Sequence, residues 1–369
     1  MQKRQSNIKT VFVGISGGVD SSVAALLLQQ QGYEVVGVFI RTWQPDWIEC
    51  TWRNERRDAM RVCAHLDIPF LECDMTDRYR DDVAGYMIDE YKKGRTPNPD
   101  VMCNSEVKFG GFFDWALARG ADFIATGHYV KRRALPNGQL LLQRGIDATK
   151  DQSYFLWMLT QDQIAKSKFP LGAMQKSEVR KLAQKHHLPT RVKKDSQGVC
   201  FLGEIDMKDF LLHCIETKPA KVLNHSGDIM GEYHLGVLMV THGERLGFDR
   251  LTASSSQEAL YVIEKNIDTN TIIVGPKNEI HGSIAGENSR EKILLEQVND
   301  PEGYLDQKNE YIAHIRYHGQ DKNTHIISYD RAAGTAEIIF DHIDRSVSPG
   351  QSIVLYDNDG LLVGGGIVA

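Results

Sequence analysis

The stretch Val11-Phe12-Val13-Gly14-Ile15-Ser16-Gly17-Gly18-Val19-Asp20-Ser21-Ser22 limits the fold more than any other part of this chain. Val11 to Ile15 is a short apolar run and reads as a buried strand. It breaks at Ser16-Gly17-Gly18, where glycine permits positive φ and close approach of another backbone. Asp20, Ser21 and Ser22 are residues of a helix cap and first turn, and a helix is predicted over Val23 to Gln31, closed by Gly32. A second apolar run, Val35 to Ile40, follows. Strand, glycine loop, helix, strand is the opening of a parallel α/β sheet.

A helix that starts directly after a glycine loop gathers unpaired backbone N–H groups at one place, which makes an anion site. The spacing is neither G-x-x-x-x-G-K-[ST] nor G-x-G-x-x-G, and the loop has no lysine to meet a γ-phosphate. A turn with no ligand would also use Gly-Gly, but it would not need Ser16, Asp20, Ser21 and Ser22 in register. Ser-Gly-Gly-x-Asp-Ser resembles the pyrophosphate loop of the ATP pyrophosphatase families. Those enzymes split ATP between the α and β phosphates and adenylate a substrate.

The rest of the first 207 residues extends the α/β pattern. Arg41-Thr42-Trp43-Gln44-Pro45 would lie at the carboxyl end of the second strand, where ligands of open α/β sheets sit. Ile40 there could touch an adenine or be a plain core residue. A helix is expected over Asn54 to Leu66 with Ala59, Val62, Cys63 and Leu66 inward, then a strand from Pro69 to Cys73 and a helix from Asp81 to Lys93. Pro97 and Pro99 are expected to exclude helix between Gly94 and Asn104. That leaves a rigid loop ending in Asp100-x-x-Cys103, a holder for a reactive thiol at the mouth of the sheet. Helix Val107 to Arg119, strand Asp122 to Thr126 and Gly127-His128-Tyr129 follow. Strands alternating with helices predict a doubly wound parallel sheet, and the resemblance of the glycine loop to the ATP pyrophosphatases implies its adenine nucleotide α-hydrolase-like form.

Pro136-Asn137-Gly138 turns a hairpin between Tyr129–Ala134 and Gln139–Arg144. Lys150-Asp151-Gln152-Ser153-Tyr154-Phe155-Leu156 is polar, then aromatic. Helical patterns over Gln161 to Ser167 and Lys176 to His187 form a basic region at about residues 160–195. Lys176, Arg180, Lys181, Lys185, Arg191, Lys193 and Lys194 stand there with Glu178 as the only acid before Asp195. The run leads directly to Cys200, so contact with a phosphate backbone is favoured over a merely solvated face.

After Met207 short alternating runs replace helix, at Asp228–Met230, Val237–Val240, Ala259–Glu264 and Thr271–Val274. They predict a small β domain over residues 208–280. A joint is expected at Ile280 to Lys292 and a second β set over residues 290–369: Tyr311–Tyr317, Thr324–Ser328, Thr335–Phe340, Ser352–Tyr356 and Leu361–Ile367.

A net charge of −6 argues against chain-wide affinity for nucleic acid and leaves room for a local patch. No apolar run reaches membrane-span length, and the polar Met1–Thr10 lacks the core of a signal peptide, so a cytoplasmic enzyme with no membrane association is expected. None of the 6 cysteines forms C-x-x-C, which argues against a zinc ribbon, and no metal site is expected. The cysteines are then thiols, with any bridge transient or catalytic.

Several motifs stand in order: Ser-Gly-Gly-Val-Asp-Ser, Gly94-Arg-Thr-Pro-Asn-Pro-Asp-x-x-Cys-Asn104, Ala125-Thr-Gly-His-Tyr129, Lys150-Asp-Gln-Ser-Tyr-Phe-Leu156, Lys193-Lys-Asp-Ser-x-Gly-x-Cys-Phe201 and Pro349-Gly-Gln-Ser352. Over essentially its whole length the chain resembles the tRNA-specific 2-thiouridylases. The resemblance implies an ATP pyrophosphatase domain, a central β domain and a C-terminal β-barrel. It implies replacement of the 2-oxygen of the wobble uridine by sulfur in tRNAs for Lys, Glu and Gln. It puts ATP, with Mg²⁺, on Gly14, Ile15, Ser16, Gly17, Gly18, Val19, Asp20, Ser21, Ile40 and Gly127. Target-base contacts fall on Asn98, Pro99 and Asp100, and further tRNA contacts on His128, Lys150, Asp151, Gln152, Arg316, Tyr317 and Gln351.

The chain departs from the family pattern in three places. Ile40 stands where methionine is usual, Thr241-His242-Gly243-Glu244-Arg245-Leu246-Gly247 replaces Thr-x-Gly-Gln-Arg-Lys-Gly, and His318 replaces the last arginine of Arg-Tyr-Arg.

The chemistry follows from the substrate. A uracil carbonyl oxygen is a poor leaving group, and adenylating it makes AMP the leaving group. A persulfide on Cys200 can then deliver sulfur, favoured by Lys193 and Lys194. Cys103 either cleaves the persulfide to sulfide or closes a transient Cys103–Cys200 disulfide, with Asp100 as acid or base. A sulfur-relay protein or cysteine desulfurase would supply the sulfur. Two other readings keep the fold: an iron–sulfur cluster on Asp100, Cys103 and Cys200 as sulfur carrier, or tRNA binding without turnover. An adenylating enzyme for a small molecule would not need the two β domains.

Overall fold

The computed structural model describes residues 8–48, 52–195, 206–251, 259–277, 279, 292–301, 303–307, 309–341 and 347–369. The first domain is built on a parallel sheet in the order β3-β2-β1-β4-β7. Its strands are β1 (Thr10–Gly14), β2 (Glu34–Arg41), β3 (Phe70–Asp74), β4 (Phe123–Ala125) and β7 (Ser167–Lys168). β1 pairs with β2 through Thr10↔Glu34 to Gly14↔Val38, and with β4 through Val11↔Phe123 to Val13↔Ala125. Both faces of β1 are covered: Val11 and Val13 lie in one core, and Phe12 in the core on the other side. β7 is too short to carry a periodic signal, so the sheet has one strand more than the sequence pattern predicts.

Helix α1 spans Val19–Gln30, starting four residues before the expected Val23. Gly18, in an extended conformation, is its N-cap, and Ser22 Oγ donates to the Gly18 carbonyl at 2.7 Å. The helix Trp52–Leu66 buries Ala59, Val62, Cys63 and Leu66, as its periodicity predicts. The next helix covers 76–92, with a π-type stretch at Tyr79–Gly85, and starts earlier than Asp81. The Asp74 carboxylate accepts hydrogen bonds from the Thr76 amide and hydroxyl and so anchors its first turn.

The segment after Gly94 differs most from expectation. Asn98 and Pro99 do not prolong a loop; they start a helix. The Asn98 side chain accepts from the amides of Asp100 and Val101 at 3.1 and 3.2 Å, and Pro99 takes the first helical position, where a missing N–H costs nothing. Helical backbone then runs through Pro99–Met102, Cys103–Gly111 and Phe112–Leu117. Asp100 and Cys103 therefore sit one turn apart on a helix, and Cys103 is buried (1% exposed), not displayed on a loop.

After the hairpin β5 (Val130–Ala134) and β6 (Leu140–Arg144), the central domain opens with a helix, Met207–Cys214, where the sequence pattern points to helix giving way to short strands. Its sheet has the order β10-β9-β8-β12-β11, with β8 (Ala220–Leu223), β9 (Ile229–Tyr233), β10 (Asp249–Arg250), β11 (Tyr261–Asn266) and β12 (Thr271–Gly275). The expected strand at Val237–Val240 is instead a short 3₁₀ turn, Val237–Met239. The C-terminal domain is a closed antiparallel barrel, β13-β16-β15-β14-β17-β18. Its strands are β13 (Lys292–Asn299), β14 (Glu310–His314), β15 (Lys322–Asp330), β16 (Thr335–Phe340), β17 (Ser352–Tyr356) and β18 (Leu362–Val368). Most of the expected joint, Ile280 to Lys292, lies outside the described residues.

The domains share cores. Cys103 lies in one apolar cluster with Tyr79, Val83 and Met87 of the first domain and Phe210, Val222 and Val237 of the central domain. Trp157, fully buried, packs with Val354, Tyr356, Leu362 and Ile367 of the barrel. A Cβ on Gly365 would fall 2.9 Å from the Trp157 ring, so only glycine fits beneath it. Among the described residues no helix is long and apolar enough to cross a membrane.

Candidate active site

The loop between β1 and α1 is held by its own hydroxyls. The Ser16 amide donates to Ser21 Oγ at 3.2 Å and the Gly18 amide to Ser16 Oγ at 3.3 Å. Ser22 Oγ also accepts from the Thr190 hydroxyl at 3.0 Å, deep in the core. Gly17 has φ +73°, and a Cβ there would lie 2.6 Å from the Glu55 carbonyl oxygen. Gly127 closes on the same loop from β4: its Cβ would meet the Ser21 nitrogen at 2.8 Å. Close backbone packing thus requires glycine on both sides of the helix N-terminus, where first-turn amides have no intrahelical carbonyl to meet. Ile40 lies over Gly14, its Cδ1 3.4 Å from where a Cβ would be.

Sequence reasoning missed what holds Asp20. Tyr129 Oη donates to Asp20 Oδ1 at 2.8 Å, and Lys176 Nζ donates to both Asp20 oxygens at 2.7 and 2.8 Å. Lys176 also pairs with Asp195 at 2.9 Å, as do Lys150 at 3.0 Å and Arg180. Burial opposes the charged form of Asp195, but hydrogen bonds and charge from Lys176 and Lys150 prevail and bring its carboxyl down to about 2. The basic run therefore divides. Lys176, Arg180 and Lys193 turn inward to Asp20, Asp195 and Asp58, whereas Lys181, Lys185, Arg191 and Lys194 are exposed. Proximity in sequence signalled the run; nothing in it signalled an ion pair across 156 positions.

From the loop a continuous set of contacts leads to Cys103. Gln152 clamps Tyr129: its Oε1 accepts from the Tyr129 amide at 3.1 Å, and its amide donates to the Tyr129 carbonyl at 3.0 Å. Asp151 accepts from the Gly145 amide at 2.8 Å and from the Ser153 hydroxyl at 2.8 Å. His128 is buried with Nδ1 2.7 Å from Thr126 Oγ1; burial, then the nearby Lys108 charge, hold its pKa well below the ordinary value, so it is neutral. Next come Tyr154 and Phe155. Tyr154 Oη donates to the carbonyls of Ser352 at 2.9 Å and Ile315 at 3.2 Å, binding the barrel to the first domain. The Phe155 carbonyl accepts from Asn104 Nδ2 at 3.3 Å, one residue past Cys103.

The barrel supplies the other wall. Tyr317 is 37% exposed and lies on Phe155 with ring centroids 4.4 Å apart, and His318 lies 4.0 Å from Tyr317. Burial, then the charges of Asp151 and Asp100, push the Tyr317 hydroxyl up to about 12. The turn before Gln351 abuts the segment leading to Asn98: the Thr96 amide donates to the Pro349 carbonyl at 2.7 Å. Gln351 Oε1 itself accepts from the Ser348 amide at 3.3 Å. The tertiary structure thus brings Asn98, Asp100, Cys103, Tyr317 and Arg316 to one region from two domains. Phe155, the floor under Tyr317, was not assigned a role by sequence. Cys200 lies outside the described residues, so the Cys103–Cys200 relation does too.

The departures in the central domain have internal uses. Glu244 pairs with Lys208 at 2.6 Å and accepts from the Thr241 amide at 3.0 Å, and Leu246 is buried. On the barrel, Glu310, His325 and Asp341 bring potential ligand atoms within 4.8 Å of one another on a largely exposed surface.

Comparison with known proteins accounts for each domain. Residues 9–204 match the model described as tRNA methyl transferase HUP domain, 208–276 the tRNA methyl transferase PRC-barrel domain, and 291–368 the aminomethyltransferase beta-barrel domain. The tRNA-specific 2-thiouridylase MnmA of Pseudomonas fluorescens (strain SBW25) is 41% identical over 98% of this chain and 94% of its own. That of Oceanobacillus iheyensis is 42% identical over 97% of this chain and 94% of its own. Among solved structures, the U34-tRNA thiolase NcsA from Methanococcus maripaludis with its [4Fe-4S] cluster aligns at TM-score 0.35 and 20% identity over 53% of this chain and 61% of that one, too distant to carry an argument. The full-length matches decide the matter: this chain belongs to the family of tRNA-specific 2-thiouridylases, MnmA.

Proposed function

We propose that the chain is an ATP-dependent sulfurtransferase that converts the wobble uridine of tRNA to 2-thiouridine. Full-length kinship with thiouridylases supports the reaction class. The observation that carries the reading to this chain's residues is the continuous contact path from the glycine loop, through Tyr129, Gln152 and Phe155, to the helix turn bearing Asp100 and Cys103.

In this reading MgATP is a substrate whose phosphates sit at the N-terminus of α1. Amide dipoles there stabilise the pyrophosphate that leaves when the uracil O2 attacks the α-phosphorus. Tyr317 on Phe155 forms a stacking face for an unstacked anticodon-loop base, and Asn98, Pro99 and Asp100 receive the target base. The terminal sulfur of a Cys200 persulfide attacks C2 of the adenylated uridine, and AMP departs. Cys103 thiolate then attacks Cys200 Sγ, breaking the S–S bond and leaving sulfur on C2, with a Cys103–Cys200 disulfide to be reduced before the next turnover. Cleavage of the persulfide to free sulfide by Cys103 before attack is the other order. Asp100, one turn from Cys103, serves as acid or base. The buried, neutral His128 orders the loop behind the site, while the exposed Lys181, Lys185, Arg191 and Lys194 meet tRNA phosphates.

The test is thionucleoside analysis of tRNA-Lys, -Glu and -Gln transcripts incubated with the protein, MgATP and a cysteine desulfurase or sulfide. With the desulfurase, 2-thiouridine is expected with the wild type and absent with Cys200→Ser. If Cys103→Ser with the desulfurase accumulates the Cys200 persulfide and no RNA adduct, Cys103 releases sulfide; if it accumulates tRNA linked through sulfur to Cys200, Cys103 resolves the adduct. Pyrophosphate release without thionucleoside would reject the substrate or sulfur donor. A visible charge-transfer band with bound iron in active, anaerobically purified protein would replace the persulfide with a cluster.

A further inference from the structure

One lysine serves two carboxylates that belong to different parts of the machinery. Lys176 Nζ, 13% exposed, contacts both oxygens of Asp20 at 2.7 and 2.8 Å and Asp195 Oδ1 at 2.9 Å. An ammonium has three N–H donors, and these three acceptors use them all. Asp20 is in the first turn of α1, at the proposed phosphate site. Asp195 begins the Asp-Ser-Gln-Gly-Val-Cys run and precedes Cys200 by five positions.

A phosphate arriving beside Asp20 adds negative charge next to a carboxylate. That raises the demand for a cation at the loop, and Lys176 already stands there. To donate to the phosphate it must release one of its acceptors, and the two candidates are unequal. Among the described residues, Asp20 has the neutral Tyr129 hydroxyl as its one side-chain partner besides Lys176. Asp195 keeps two further cations, Lys150 and Arg180. Loss of Lys176 therefore costs Asp195 less, and it is the contact that yields.

We propose that Asp195 is a positioning residue that shares Lys176 with the nucleotide loop, so that phosphate binding draws Lys176 away and re-sets Asp195 against Lys150 and Arg180 at the start of the chain leading to Cys200. Nucleotide arrival would thereby be reported to the sulfur-bearing cysteine before sulfur is transferred. This rests on the nucleotide reading of the loop and adds to it the residue that couples the two half-reactions.

The experiment uses the full chain and the non-cleavable α,β-methylene analogue of MgATP. Two quantities are measured: its dissociation constant, and the alkylation rate of Cys200 by iodoacetamide, read by peptide mass spectrometry with and without the analogue. In the wild type the analogue should change the Cys200 rate severalfold. Asp195→Asn should bind the analogue about three- to tenfold more tightly, because a neutral amide competes less well than a carboxylate for one charge-assisted hydrogen bond. Its Cys200 rate should not depend on the analogue. Asp195→Glu, which keeps the charge, should restore the dependence. Tighter binding separates this from misfolding, which would weaken it. Weaker or unchanged binding in Asp195→Asn, or a wild-type Cys200 rate indifferent to saturating analogue, would overturn the inference while leaving the functional reading intact. A wild type that binds no analogue at all would overturn both.

Discussion

The two ends of the site are made by opposite means. The proposed nucleotide end is made of backbone and of missing side chains: Gly17 at φ +73°, and Gly127 with no room for a Cβ beside Ser21. The proposed base-stacking end is made of large side chains from separated segments, Tyr154 and Phe155 from the first domain and Tyr317 from the barrel. The first is set within the first domain, by the loop itself, the Gly127 backbone and the Glu55 carbonyl of the Trp52–Leu66 helix. The second exists only while the barrel is docked. Nucleotide chemistry and RNA recognition in this molecule should therefore fail separately.

The sharpest separation is expected from Gly127→Ala. The new Cβ would lie 2.8 Å from the Ser21 nitrogen and 3.0 Å from the Asp20 carbonyl carbon, both backbone, so the loop has to shift. tRNA-dependent pyrophosphate release should fall about 100-fold, the usual result of misplacing reacting groups by an ångström. Filter binding of tRNA should not change. If both fall together, the two ends are not independent.

Trp157→Ala tests the docking. It removes a fully buried indole from the core shared with Val354, Tyr356 and Ile367, and should cost about 3–5 kcal/mol in urea unfolding. tRNA affinity should drop with it, while the MgATP analogue still binds at temperatures where the first domain stays folded. Loss of nucleotide binding at those temperatures would contradict the comparison.

Tyr317→Ala removes the stacking face alone. KM for tRNA should rise by the equivalent of about 1–3 kcal/mol, the worth of one base–aromatic stack, with KM for ATP unchanged. A fall in kcat with no change in tRNA KM would mean that Tyr317 acts on the chemistry and not on binding.

Lys265 is a control in the central domain. Burial, only partly offset by Glu244, brings its ammonium from 10.5 down to about 8. Between pH 8 and 10.5 the unfolded chain therefore binds more protons than the folded one, and stability rises as pH rises through that window. Lys265→Met should remove this slope and stabilise the protein at pH 7 by about 1 kcal/mol, less than full relief because the Val240 carbonyl loses its 2.7 Å donor. Neither KM should move.

Much of this architecture could be read in the chain. The strand–loop–helix opening, the inward face Ala59, Val62, Cys63 and Leu66, and strands Thr335–Phe340 and Ser352–Tyr356 all follow from local periodicity. Where local reading failed, a competing local rule usually won. Pro97 and Pro99 suggested a loop, but Asn98 caps and Pro99 starts a helix, so Cys103 is buried in a helix and not presented on a rigid turn. Two-residue β7 and the 3₁₀ turn at Val237–Met239 are too short for any period to distinguish.

The sequence by itself determined the order of the elements and the chemistry on offer: a glycine loop before a helix, two motif cysteines and a basic run. Those properties depend on neighbours a few residues apart, where backbone freedom and side-chain spacing decide. Only the tertiary structure decided which cations are already engaged, with Lys176 between Asp20 and Asp195, and which aromatic rings share a face, with Tyr317 on Phe155. The Asp20–Lys176 and Phe155–Tyr317 pairings join residues more than a hundred positions apart, and no local pattern records them, because they arise only when separately formed elements pack and must satisfy the charges and apolar surfaces they bury together.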